Sequence, residues 1–168
     1  NRSIKIGSAG KTFSLTGWKI GFIIAKEKLI NLISNMHQYI TFTAPPNLQE
    51  AIAYAYQKPD CYYENLKNLF QNKRDLIYNQ LKKYGVKTSL PEATYFINID
   101  YENKYPEMQP ENFCLELIKN ANVTGIPISV FYDKNTDKKA VSNLIRLCFA
   151  KNDEILIKAA NQIGKYLS

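Results

Sequence analysis

Residues 8–21 read Ser8-Ala9-Gly10-Lys11-Thr12-Phe13-Ser14-Leu15-Thr16-Gly17-Trp18-Lys19-Ile20-Gly21. The stretch sets a lysine among Gly, Ser and Thr, with a second lysine eight residues on. A lysine of this kind has three readings. It is a solvated surface residue, which is the default for the type. It serves a nucleotide phosphate, as Gly10-Lys11-Thr12 invites. That pattern, GxxxxGK[ST], also needs a glycine five residues before Gly10, and Lys5 stands there. Or it forms a Schiff base. Such an amine must be neutral part of the time, and a neighbouring cation with partial desolvation lowers its pKa.

Around this stretch the chain alternates strand and helix signals. Ser3 to Ile6 alternates in the strand manner and runs into the small-residue loop 7–10. Lys19 to Ala25, KIGFIIA, is a short apolar run whose length predicts a buried strand. Lys26 to Tyr39 has helical apolar spacing, Pro45-Pro46 breaks the chain, and a second helix is predicted from Asn47 to Gln57. Tyr62 to Tyr84 is the longest helical stripe, and Gly85 is a C-terminal stop. Beyond it, strands are predicted at 94–99, 123–130 and 143–150. Helices are predicted at 111–121 and 153–167, the last capped by Asn152 or Asp153. An α/β piece followed by an α+β domain results, with the boundary near Pro59 to Tyr63.

Composition excludes several classes. Hydrophobic residues are 45% and charged residues 22% of the 168, an ordinary globular balance. No apolar run approaches a membrane span. The net charge of +7 comes from scattered lysines, with no basic run or aromatic-interleaved stripe, so nucleic-acid binding is not expected. Cys61, Cys114 and Cys148 have no CxxC spacing, and His37 is the only histidine. Neither a disulfide framework nor a metal site follows, and the cysteines read as small buried residues in a reducing compartment. The chain opens Asn1-Arg2-Ser3 without Met, which reads as a record beginning partway through a gene product.

The segment SAGKTFSLTGWKIG resembles the cofactor-lysine motif of the fold-type I pyridoxal-phosphate-dependent aminotransferases, in particular the kynurenine aminotransferase and glutamine transaminase group. The resemblance continues through HQYITFTAPPNLQEA at 37–51, ATYFINID at 93–100, GIPISVFY at 125–132 and NLIRLCFAKND at 143–153. It implies the C-terminal part of that α/β fold: the end of the large cofactor-binding domain at 1–62 and the small α+β domain at 63–168. It implies pyridoxal 5'-phosphate as cofactor, held covalently by Lys11, with Ser8 and Lys19 on its phosphate. Many relatives carry Arg where Lys19 stands; a lysine still pairs as a point charge but loses the bidentate fork.

Arg146 lies in an apolar strand between Ile145 and Leu147. From the residues alone it is an edge-strand arginine facing water; the resemblance instead makes it the grip on the substrate α-carboxylate, where a planar donor pair suits two oxygens. Phe42 divides between core packing after a helix and, by the resemblance, contact with the substrate side chain from a second subunit. Trp18 is expected in the core beneath the lysine loop, and His37 is expected to cap or pack its helix. Ser129, Phe131 and Tyr132 are candidates for lining the domain interface.

The implied activity moves an amino group from an amino acid (aromatic, glutamine, methionine or kynurenine-like) to a 2-oxo acid, in a cytoplasmic homodimer. Two alternatives share Lys11 or the fold: a cysteine-conjugate β-lyase, and a catalytically incomplete fragment or regulator. A whole relative is more than twice this long. The family's ring-stacking aromatic, the Asn and Tyr on the cofactor's O3′ and the Asp on its pyridine nitrogen have no counterpart here, so the 168 residues alone are not expected to be competent.

Overall fold

The computed structural model describes residues 2–133 and 143–168. The chain divides into two compact units, Asn1–Tyr62 and Tyr63–Ser168.

The first unit is built on a two-stranded antiparallel ribbon. Strands β1 (Lys5–Ser8) and β2 (Gly21–Ile24) pair from Lys5 opposite Ile24 to Ser8 opposite Gly21. Between them lie one helical turn, α1 (Ala9–Thr12), and a 3-10 turn, Thr16–Trp18. The small-residue loop expected at 7–10 is therefore half strand and half helix. Helices α2 (Glu27–Ile40) and α3 (Pro46–Ala55) follow. Pro46 opens α3 at its first turn, where a missing N–H costs nothing and φ is already helical. The core is small: Ala9, Ile20 and Ile52 are buried, with Phe13, Leu15, Ala44 and Leu48 packed on them.

Two expectations for this unit fail. The run 19–25 was to be a buried strand, yet Phe22, Ile23 and Ile24 are 38%, 40% and 57% exposed. A lone ribbon leaves outer edges and surface uncovered, so apolar side chains there meet solvent within this chain. Trp18 is likewise 37% exposed rather than core, and none of the residues of its 3-10 turn is buried.

The boundary between the units falls inside α4 (Asp60–Lys83). Gly85 ends this helix in the left-handed region, φ +70°. Its N–H donates to the Lys82 carbonyl at 3.0 Å, and that of Val86 to the Leu81 carbonyl at 3.2 Å. This is the Schellman arrangement, which satisfies carbonyls the helix would otherwise orphan. The second unit then forms an antiparallel four-stranded sheet in the order β3-β4-β6-β5. The strands are β3 (Lys87–Thr88), β4 (Phe96–Asp100), β5 (Ile126–Pro127) and β6 (Leu144–Cys148). Helices α5 (Pro110–Ala121) and α6 (Asp153–Leu167) complete it.

The pleat sorts the sheet's residues. Ile97, Ile99, Ile145 and Leu147 point to one face and join Leu81, Phe113, Leu117, Leu156, Ala160 and Ile163 in the core. Each of these Ile, Leu and Phe side chains contributes about 1.5–3 kcal/mol of burial. Tyr101 stacks on Phe113 with ring centroids 3.8 Å apart. Burial pushes the Tyr101 phenol up to about 12 and the Cys114 thiol up to about 11, so both stay neutral inside the core.

The strand predicted at 123–130 shrinks to β5 and a 3-10 turn, Ile128–Phe131, since Pro127 has no N–H to continue a ladder. Strand β3 is two residues long, below what periodicity reveals. Asn152 does sit at the cap of α6, but its side chain makes no capping bond. The Asp153 carboxylate instead accepts from Lys73 Nζ at 2.8 Å, and the same ammonium donates to the Lys151 carbonyl at 2.7 Å. Cys114 is buried as expected; Cys61 and Cys148 are exposed, Cys148 because its strand position turns away from the core.

Gly164 gives a test of this packing. A Cβ there would lie 2.1 Å from Tyr84 Cγ and 2.6 Å from its Cβ, at the root of the ring rather than its movable tip. Gly→Ala inside a helix ordinarily stabilises by about 1 kcal/mol. Gly164→Ala is expected to reverse that sign and destabilise by about 1–3 kcal/mol, the usual range for overpacking. Urea denaturation followed by circular dichroism reads the difference.

Candidate active site

Lys11 rides on a turn pinned from both sides. Ala9 N–H donates to the Ile20 carbonyl at 3.1 Å, and Leu15 N–H to the Gly10 carbonyl at 2.8 Å. The Thr16 hydroxyl donates to the same Gly10 carbonyl at 3.4 Å. Ser8 caps the turn: in extended conformation, its Oγ accepts the Gly10 N–H at 3.2 Å. Ala9 and Gly10 are buried beneath, while Ser8, Lys11 and Lys19 are exposed. Lys19 turns the chain into β2 through the left-handed region, φ +55°. Ser8 pairs with Gly21, two residues past Lys19, so the hydroxyl and that lysine belong to the same end of the ribbon. The structure thus gathers Ser8, Lys11 and Lys19 on one connection. Lys19 has no ion-pair partner among the described residues.

Aromatic residues that sequence reading did not single out brace this turn. Phe13 meets Tyr56 edge-on at 5.1 Å and stacks on Tyr62 at 5.9 Å. The Tyr62 hydroxyl donates to the Thr12 carbonyl at 3.1 Å. The only sequence signal for this brace was the density of tyrosine, which does not say which rings meet.

Phe42 follows α2 with φ +66° and is 81% exposed, so it does not pack in the core of this unit. It lines a groove of about 510 Å³ with Ile6, Phe22, Ile33 and His37. Ser8, Lys11 and Lys19 are not among the walls of that groove. His37 lends its carbonyl to the N–H groups of Thr41 and Phe42, and it is another of the residues that line the groove.

Arg146 belongs to the second unit. Its strand is flanked by β4 and β5, with Arg146 directly opposite Asn98 and Ile126. The edge-strand reading is therefore wrong: an edge position needs one open side, and β6 has none there. Alternation puts Arg146 on the face away from Ile145 and Leu147. Its guanidinium carbon lies 4.0 Å from the Phe96 ring centroid and 4.2 Å from that of Phe131. Arg146 Nε is buried without a hydrogen-bond partner, and no carboxylate pairs the guanidinium among the described residues. Of the candidates at 129, 131 and 132, Phe131 is the one that packs on the arginine. Phe96 was read only as part of a strand.

The sequence profile described as aminotransferase class I and II matches residues 3–163. The chain belongs to that family. It is 36% identical to a kynurenine–oxoglutarate transaminase of Dictyostelium discoideum, over 98% of this chain and 41% of the relative. Among solved structures it is similar to the Escherichia coli protein YbdL, for which a methionine aminotransferase function was identified. The TM-score is 0.87 at 33% identity, over 98% of this chain and 42% of that one. It is also similar to N-succinyldiaminopimelate aminotransferase from Mycobacterium tuberculosis, with a TM-score of 0.89 at 29% identity over the whole of this chain and 42% of that one. The chain thus spans about two fifths of the length of the aminotransferases it matches. Among the described residues no helix is long and apolar enough to cross a membrane, and no cluster of metal-ligating side chains is present.

The pinned turn depends on a close backbone approach. A Cβ on Gly21 would sit 2.5 Å from the Gly7 carbonyl oxygen, a clash with main chain that cannot swing aside. Gly21→Ala is expected to open the ribbon end. Hydrogen–deuterium exchange reads it as lost protection at Ala9 and Leu15, with exchange in 97–99 unchanged.

Proposed function

We propose that this chain supplies the cofactor lysine and the substrate-carboxylate arginine of a pyridoxal-phosphate-dependent aminotransferase. The observation that carries this reading is the family match over 3–163, which runs through Lys11 and Arg146 alike. Residues 1–62 are then the C-terminal piece of the large cofactor-binding domain, and residues 63–168 the small domain.

The donor set fits the cofactor. An aldehyde that also carries a phosphate needs one amine for covalent attachment, with a cation and a hydroxyl for the anion. Lys11 is the amine, and Lys19 with Ser8 serves the phosphate. Bound there, pyridoxal phosphate supplies a conjugated ring that withdraws electrons from the substrate α-carbon. The protein's own part is positional and acid–base. Lys11 Nζ would hold the cofactor, and as a free amine would move the proton at the substrate α-carbon. The Ser8 hydroxyl and the Lys19 ammonium bind the phosphate as donor and point charge. Arg146 binds the α-carboxylate through paired N–H donors and so orients the bond to be broken.

The relatives named for kynurenine and methionine motivate the substrate reading: an aromatic, sulfur-bearing, glutamine or kynurenine-like amino acid, with a 2-oxo acid as acceptor. Phe42, exposed on its left-handed turn, contacts the substrate side chain from a second subunit, which makes the assembly a homodimer. The setting is cytoplasmic.

Two measurements test the assignment in the complete gene product that contains this chain. After reconstitution with pyridoxal phosphate and reduction with borohydride, peptide mapping is expected to find the label on Lys11; label on another lysine refutes the reading. Arg146→Ala is expected to raise the amino-acid KM by about a hundredfold, the scale of losing one partner of a charged hydrogen-bonded pair. Its cofactor absorbance should stay unchanged. A variant that loses the cofactor absorbance, or one that keeps both the cofactor and the native amino-acid KM, shows the arginine to be misassigned.

A further inference from the structure

The surroundings of Arg146 are unusual for a structural arginine. An arginine inside a four-stranded sheet ordinarily meets a carboxylate or carbonyls, because a buried donor without a partner is costly. Here Nε is buried and unpaired, and the guanidinium has no carboxylate among the described residues. What it has is two phenyl rings, at 4.0 Å and 4.2 Å from its central carbon. Both separations lie well inside the range at which a cation is attracted to a ring face. The rings come from different elements. Phe96 is on β4, facing Cys148 across the ladder. Phe131 ends the 3-10 turn that follows Pro127.

This seat has a chemical consequence. A ring offers a guanidinium attraction but no acceptor atom, so it fixes the group without consuming a hydrogen bond. A carboxylate neighbour would fix it too, but would compete for the donors that a ligand needs. Phe131 is 55% exposed, so it can be substituted without opening the core of its unit.

We infer that Phe96 and Phe131 are positioning residues that seat the Arg146 guanidinium, leaving its in-plane donors for the substrate carboxylate. The inference rests on the reading of Arg146 as the carboxylate grip. It assigns the rings to the arginine, not to the substrate's side chain.

The test uses the complete gene product with its cofactor bound and two unreactive probes, 3-phenylpropionate and 3-phenylpropionamide. They share an apolar body and differ at the carboxylate. Calorimetric titration gives the affinity of each, and their ratio measures the grip alone. The native protein is expected to prefer the acid. Phe131→Leu and Phe96→Leu are each expected to cut that preference about tenfold, the scale of a partly desolvated cation–ring contact. Phe131→Tyr, which keeps a ring face, should restore it. If the leucine variants weaken both probes equally, the rings touch the ligand's apolar body and the inference is overturned. If Phe96→Leu does not fold, Phe131→Leu on its exposed turn decides alone. Should Arg146→Ala leave the preference intact, the arginine reading itself fails and takes the inference with it.

Discussion

Two backbone hydrogen bonds hold the turn that carries Lys11: Ala9 N–H to the Ile20 carbonyl and Leu15 N–H to the Gly10 carbonyl. They join the two sides of one short connection, and nearly everything in the first unit can be referred to them. Beside them Gly21 approaches the Gly7 carbonyl closely in the strand pairing. They bury Ala9 and Ile20 as the seed of a small core. They also fix where the exposed lysine begins, since a side chain can be aimed only if its backbone does not move. The Phe13–Tyr56–Tyr62 cluster adds a brace from α3 and the start of α4.

The second unit solves the same problem with the pleat of a sheet. Ile145 and Leu147 are driven into the core, so Arg146 between them is turned to the other face by geometry alone. Neighbouring strands on both sides then deny the arginine the freedom of an edge. The helices α5 and α6 contribute core residues to the isoleucine face. Hydrophobic burial thereby positions a polar group that it does not itself touch.

Much of this was legible in the residues. The strand containing Arg146, the helix ending at Gly85 and the proline-opened α3 all carry local signals that outlast their surroundings. The glycine at 85 can take a left-handed turn cheaply, and the structure uses it that way. What stayed hidden depends on partners distant in sequence. Phe96 and Arg146 are fifty residues apart and meet only through strand pairing. Trp18, Phe22 and Ile23 look like core by composition, but burial is decided by what packs on them, and nothing among the described residues fully covers them. Cys148 was misjudged for the same reason that Arg146 was noticed: both lie on the outward register of β6. Strand length also limited the reading, since a two-residue β3 has no period to detect.

The ribbon has one more implication. Among the described residues its two strands pair only with each other, and Ile6, Ile23 and Ile24 on them are 75%, 40% and 57% exposed. Unsatisfied amides next to β-branched side chains are a template for any other extended segment. A polypeptide limited to these 168 residues would offer that template to its own copies at high concentration, so self-association through added strands would compete with its solubility.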